Sequence, residues 1–164
     1  MLVALSSLSI LINGCNTKDD VIEIFAGKTW KLSRLTNKDS NAQFYPGLWN
    51  YDDEAMKRSL NSLYNQKNSF TLNFEGSELD GKLMGTTISG QGINATFDGT
   101  WDADGKTGSL TIRVKTTDAE NDALVRAFVN GLQNVYKYEG DANSLTLFYK
   151  DGNITRVMGF SHKR

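Results

Sequence analysis

A chain of 164 residues, 39% of them hydrophobic, is long enough for one domain with a full core. Its 18 Lys and Arg against 19 Asp and Glu leave a formal net charge of −1, without the basic excess expected of a nucleic-acid binder. The single cysteine, Cys15, excludes an intrachain disulfide and a cysteine-based zinc site, so neither metal nor cofactor is expected.

Residues 1–12 are apolar or small and uncharged, the length of a signal h-region. Asn13-Gly14-Cys15 follow, and polarity then switches sharply at Asn16-Thr17-Lys18-Asp19-Asp20. The Gly-Cys junction resembles a lipobox. That resemblance implies a signal peptide over 1–14 and lipid on Cys15, making the membrane a partner through the anchor. Lys18-Asp19-Asp20 resembles the lysine-plus-two-acids export signal of Bacteroides-type bacteria. It implies a lipid-anchored outer-membrane protein exposed at the cell surface. Residues 15–26 are then expected to be the lipidated cysteine and a polar tether, with the folded domain over 27–164.

Trp30 and Leu32 share one face of the first strand candidate, Gly27 to Leu35. Phe44, Tyr45, Trp49 and Tyr51 crowd around Pro46-Gly47 in the looser segment that follows. Asp52 to Gln66 predicts a helix, with acids in its first turn and Met56, Leu60, Leu63 and Tyr64 as one apolar stripe. Alternation then predicts strands over 69–75, a weaker one over 79–88, and others over 93–101 and 110–115, with turns at Gly76-Ser77 and at 102–106. Thr117-Asp118-Ala119-Glu120 fits a capping box opening a second helix through Leu124, Phe128 and Leu132, which Gly131 weakens late by about 1 kcal/mol. Strands return at 135–138, 144–149 and 153–162, the last two joined by an Asp151-Gly152 hairpin turn.

This is a mostly β chain with two inserted α-helices, built as an antiparallel barrel or a sandwich. Gly27-x-x-Trp30, the strand meander, Leu147-Phe148-Tyr149-Lys150-Asp151-Gly152 and the close at Phe160 resemble the lipocalin-like lipoproteins of Bacteroides-type bacteria. The resemblance implies an eight-stranded antiparallel calycin-type barrel. It carries architecture and location, not chemistry.

His162 is the single histidine, so neither a Ser-His-Asp nor a Cys-His site assembles conventionally. Asp98 and Asp102 share a strand face, and Glu75, Glu78 and Asp80 gather near a turn; they read as solvent-facing acids. Asp102-x-Asp104-x-Lys106 starts like a calcium loop but puts lysine where an oxygen ligand belongs. Phe44, Tyr45, Trp49 and Tyr51 either plug a barrel end or stack on a ligand, with Trp101 as a further lining residue. The leading expectation is a non-enzymatic binding or accessory module for a small apolar or aromatic ligand or an envelope protein partner. A structural or envelope-stress protein with a filled barrel is the second reading, and a carboxylate-dependent glycan hydrolase the third. Spacing leaves open whether the barrel is hollow.

Overall fold

Period-two alternation decides which side of each strand faces the core, and here it closes a barrel. The computed structural model describes residues 18–117 and 120–163. Its strands are β1 (Lys28–Asn37), β2 (Thr71–Leu79), β3 (Lys82–Gln91), β4 (Thr96–Asp104), β5 (Ser109–Thr116), β6 (Val135–Gly140), β7 (Ser144–Asp151) and β8 (Ile154–His162). Each pairs antiparallel with the next, and β8 returns to β1 through Leu32↔Phe160 and Leu35↔Met158. The expected eight-stranded antiparallel barrel is therefore found. On β4 and β5, Phe97, Trp101, Leu110, Ile112 and Val114 are buried, whereas Asp98, Asp102, Thr111, Arg113 and Lys115 are exposed.

There are three helices rather than two: α1 (Lys18–Phe25), α2 (Asp53–Asn65) and α3 (Ala123–Gln133). The expected signal peptide over 1–14 and Cys15 lie outside the described residues. The tether expected over 15–26 is helical from Lys18 onward, and Val21, Ile24 and Phe25 are buried core. Three apolar side chains at i, i+3 and i+4 form one face of a helix, a period hidden by the surrounding acids. Asp118 and Ala119 of the expected capping box also lie outside the described residues. α3 begins later, with Asp122 as its N-cap accepting from Val125 N at 3.0 Å.

The turn expected at Gly76-Ser77 is instead an irregularity within β2, where the register to β3 shifts between Glu75 and Ser77. A Cβ on Gly76 would meet the Trp101 ring at 3.2 Å, so this glycine is there for close packing. The chain turns at Asp80-Gly81, both with positive φ (51° and 73°), between the paired Leu79 and Lys82. In α2 the stripe is also displaced. Leu63 is buried beside Ser59 and Ser62, whereas Tyr64 is exposed.

Both mouths of the barrel are closed by helices. At the end carrying the β2–β3 and β6–β7 turns, α1 inserts Phe25. Its ring lies 4.9 Å from Phe74, 5.1 Å from Trp101 and 4.9 Å from Tyr138. At the other end α3 inserts Phe128 between Phe70 (5.9 Å), Phe97 (5.7 Å) and Phe160 (6.2 Å). Trp30, Leu35, Leu72, Ile88, Leu147 and Met158 fill the space between, so the barrel interior is packed. Gly131 looked like a weakness in α3, but a Cβ there would sit 2.8 Å from Met158 Sδ. The glycine lets the helix settle on β8. Glu120 ties the approach to α3 down, its carboxylate accepting from the backbone N–H groups of Ile93 (3.2 Å), Asn94 (3.1 Å) and Ala95 (3.1 Å).

Truncating a fully buried ring removes transfer energy and leaves a cavity. Phe25→Ala is expected to lower the unfolding free energy by about 3–5 kcal/mol in urea titration, as for any core phenylalanine. A loss under about 0.5 kcal/mol, the surface range, would mean that α1 does not close the barrel.

Candidate functional site

The chain leaves β1 at Asn37 and crosses the α3 end of the barrel before entering α2. Its segment around Phe44 runs parallel to β1. Leu35 N donates to Gln43 O at 2.8 Å, and Tyr45 N donates to Leu35 O at 3.1 Å. Two side-chain systems pin it. On one side, Trp49 Nε1 donates to Ser59 Oγ at 2.8 Å, and the Ser59 hydroxyl donates to Asp122 Oδ2 at 2.6 Å. One serine thus joins the loop, α2 and the cap of α3. The Phe44 and Trp49 rings pack edge to face with centroids 5.2 Å apart. On the other side, the Arg156 guanidinium lies 3.6 Å from the Tyr45 ring centroid. Arg156 also donates to Asp151 Oδ2 at 2.8 Å and to Asn37 Oδ1 at 2.6 Å, so this buried cation is paired.

Above this pinned base stands Tyr51, 91% exposed. Asn50 (φ 50°) and Tyr51 (φ 62°) are consecutive left-handed residues, and neither is glycine. Such a conformation costs roughly 1–2 kcal/mol per residue. The bonds that hold it are Asn50 N to Gly47 O at 3.0 Å and Asp52 N to Trp49 O at 2.9 Å. Asp52 then caps α2 by accepting from Ala55 N at 2.9 Å. Phe44, Tyr45, Trp49, Tyr51 and Met56 line a shallow hollow of about 250 Å³, with Asp52 and Asp53 on its edge.

Four of the five aromatic residues singled out in the sequence therefore meet, and the fifth does not. Trp101 lies at the opposite end of the barrel, 1% exposed, with its ring covered by Phe25 and its Nε1 donating to Glu75 O at 2.8 Å. It is a core residue with no open space before it. Within the four, Phe44 and Trp49 pack on each other and against the core, and Tyr51 is exposed. Sequence reasoning missed Arg156, Ser59 and Asp122. Arg156 had a signal, since it interrupts the apolar run of the last strand (Ile154, Val157, Met158), where an arginine needs a partner.

Of the other candidates, His162 packs its ring 5.8 Å from that of Trp30. Asp98 and Asp102 point out from β4, and Glu78 and Asp80 stand at the β2–β3 turn. Burial pushes the Tyr45 phenol above its usual value, opposed by Arg156 and reinforced by Asp151. Burial raises Tyr149 further, with Tyr45 adding to it.

Removing the Ser59 hydroxyl leaves the Trp49 indole N–H and an Asp122 oxygen without their partner. Ser59→Ala is expected to cost about 1–3 kcal/mol in urea unfolding and to alter Trp49 fluorescence. The two phenols give a pH dependence of defined sign. Above about pH 10, unfolded tyrosines lose protons that the folded state keeps, so stability falls as pH rises. The urea midpoint is expected to drop between about pH 10 and 12, less steeply in Tyr149→Phe.

Comparison with known proteins agrees with this architecture. The model of the DUF4847 domain, a domain of unknown function, matches residues 16–162. A crystal structure of a DUF4847 family protein from Bacteroides vulgatus superposes with a TM-score of 0.61 at 28% identity, covering 87% of this chain and 97% of that one. No curated protein matches. The match runs from the residue after Cys15 to the end of β8, and by it this chain belongs to the DUF4847 family.

Proposed function

We propose that this protein is a lipid-anchored accessory module of the outer membrane that binds a partner through its aromatic loop and performs no catalysis. The observation that carries the reading is Tyr51, a tyrosine 91% exposed on two left-handed residues above a rigidly pinned base. Backbone strain of this kind persists where the surroundings enforce it, and it gathers at ligand clamps and recognition turns. Nothing in the barrel packing uses it.

The partner's class follows from shape. A packed barrel offers no interior to a ligand, and a hollow of about 250 Å³ is below the range of small-molecule pockets, about 300–1,000 Å³. An exposed tyrosine beside half-buried aromatics and two acids suits the rim of a protein interface. The partner is thus an envelope protein, and a small aromatic ligand stacking on Tyr51 is the second reading.

The anchor reading supports the same geometry. Among the described residues, no helix is long and apolar enough to cross a membrane. Lipid on Cys15, three residues before α1 begins, holds the start of α1 within about 10 Å of the bilayer and so keeps the α1 end of the barrel on the membrane side. The aromatic loop stands at the opposite end and faces away from the membrane. The Lys18-Asp19-Asp20 signal and the Bacteroides relative fit delivery to the cell surface.

Two measurements test this. Cys15→Ser is expected to abolish acyl labelling and release the protein from the membrane fraction. Retention without label would rule out the anchor. A photo-reactive residue at position 51 is expected to form a discrete protein adduct in intact cells, whereas the same group at position 113, on the barrel wall, gives none. Equal labelling from both positions would sink the loop as a docking site.

A further inference from the structure

The outer wall of β1 to β4 is unlike the rest of the barrel surface. Strand register places Thr29, Asn73, Ser89 and Asp98 side by side in one row across the four strands. The row above it runs from Thr71 to Gln91 to Thr96. Both lie on the outward side of the pleat, since Trp30, Leu72 and Phe97 between them are buried in the core, although Thr71 in the second row is itself covered. On β2 to β4 they hold only short hydroxyl, amide and carboxyl side chains; on β1 the second row ends at Lys31, paired with Thr71, whose ammonium donates to Gln66 O at 3.0 Å and to Ser69 Oγ at 3.1 Å. Long cations flank these rows, with Lys28 and Arg34 further along β1 and Lys115 on β5 beside Asp98.

A barrel wall is normally convex, but this one is hollowed to about 580 Å³. The far wall of the hollow is built by the chain end. Lys163 N donates to Thr29 O at 2.8 Å, and Lys163 Nζ reaches across to Asn68 Oδ1 at 2.9 Å. The polar groups on its floor are only partly used. Asn73 Oδ1 accepts from Thr29 Oγ1 at 2.6 Å, leaving the amide N–H₂ to point elsewhere. Gln91 Nε2 is engaged with Ile93 O at 3.1 Å, which leaves its oxygen free to accept. The side chains of Ser89 and Asp98 make no hydrogen bond among the described residues.

We infer that this trough is a second binding site, for a neutral polyhydroxylated ligand, a short glycan. Hydroxyl groups donate and accept at once, and they match a floor that mixes a donor amide, an acceptor amide oxygen, a carboxylate and hydroxyls at strand spacing, about 4.8 Å. Repeated anionic groups would meet Asp98 on the floor, and an apolar ligand would strand these polar groups without water. The site does not depend on the anchor or on the aromatic loop, which lies at the end of the barrel rather than on its wall.

The test is a titration of the ¹⁵N-labelled domain, α1 included, with neutral trisaccharides (maltotriose, xylotriose and N-acetylchitotriose) and, separately, with inorganic phosphate. The expected result is saturable shifts confined to amides 71–73, 89–91 and 96–98 with one sugar, with a dissociation constant on the order of 1 mM. Asn73→Leu with Ser89→Leu, both outward-facing, is expected to weaken binding at least roughly tenfold at an unchanged melting temperature, whereas Tyr51→Ala leaves it intact. Shifts absent with all three sugars, centred on residues 44–56, or produced by phosphate alone would overturn the assignment.

Discussion

An eight-stranded barrel encloses a volume that either side chains or a ligand must occupy. Here two phenylalanines from outside the sheet settle that choice. Phe25 completes an aromatic cluster with Phe74, Trp101 and Tyr138 at one mouth, and Phe128 completes another with Phe70, Phe97 and Phe160 at the other. Under the proposed readings, recognition falls to the outside, to the rim loop and the wall trough, and the packed interior gives both a rigid base.

Rigidity explains how the rim loop tolerates its strain. Two left-handed residues next to each other would relax in a mobile loop. Trp49, Ser59 and Asp122 hold one flank, and Arg156 with Tyr45 holds the other. The same bonds make the loop a structural coupler, because Asp122 is at once the cap of α3 and an acceptor for Ser59 on α2. The helix that seats Phe128 in the barrel and the turn that displays Tyr51 share one hydrogen-bond network.

β5 was legible because it buries one face only, Leu110, Ile112 and Val114 against polar neighbours, whereas β4 kept the expected alternation of Phe97 and Trp101 but runs from Thr96 to Asp104, three residues later than expected and into the segment read as a turn. Where the reading failed, a local signal competed with a tertiary one. Gly76-Ser77 looked like a turn, but its glycine makes room for Trp101, and the working turn at Asp80-Gly81 was passed over. Thr117 to Glu120 looked like a capping box, yet Glu120 spends its carboxylate on the backbone of residues 93–95, leaving the cap to Asp122. The aromatic loop was visible as a cluster, while the split between a partly buried Trp49 and an exposed Tyr51 was not, since it depends on Ser59 and on backbone dihedrals. Trp101 was drawn to the site by its chemistry alone, and only the barrel's two ends separate it from the loop.

The helix α1 shows why anchor and fold belong in one account. Eight residues are too few for a stable helix in water, so α1 exists because Val21, Ile24 and Phe25 have a barrel mouth to enter. A polar stretch carrying three acids, Asp19, Asp20 and Glu23, therefore reads as linker in isolation and becomes structure only against Phe74 and Trp101. Under the proposed lipidation of Cys15, the helix that begins three residues after the lipid also carries the plug of the barrel. A flexible tether would leave the orientation of the domain to chance. A helix that begins three residues after the proposed lipid and ends in the plug would instead turn that mouth toward the bilayer and leave Tyr51 at the far end.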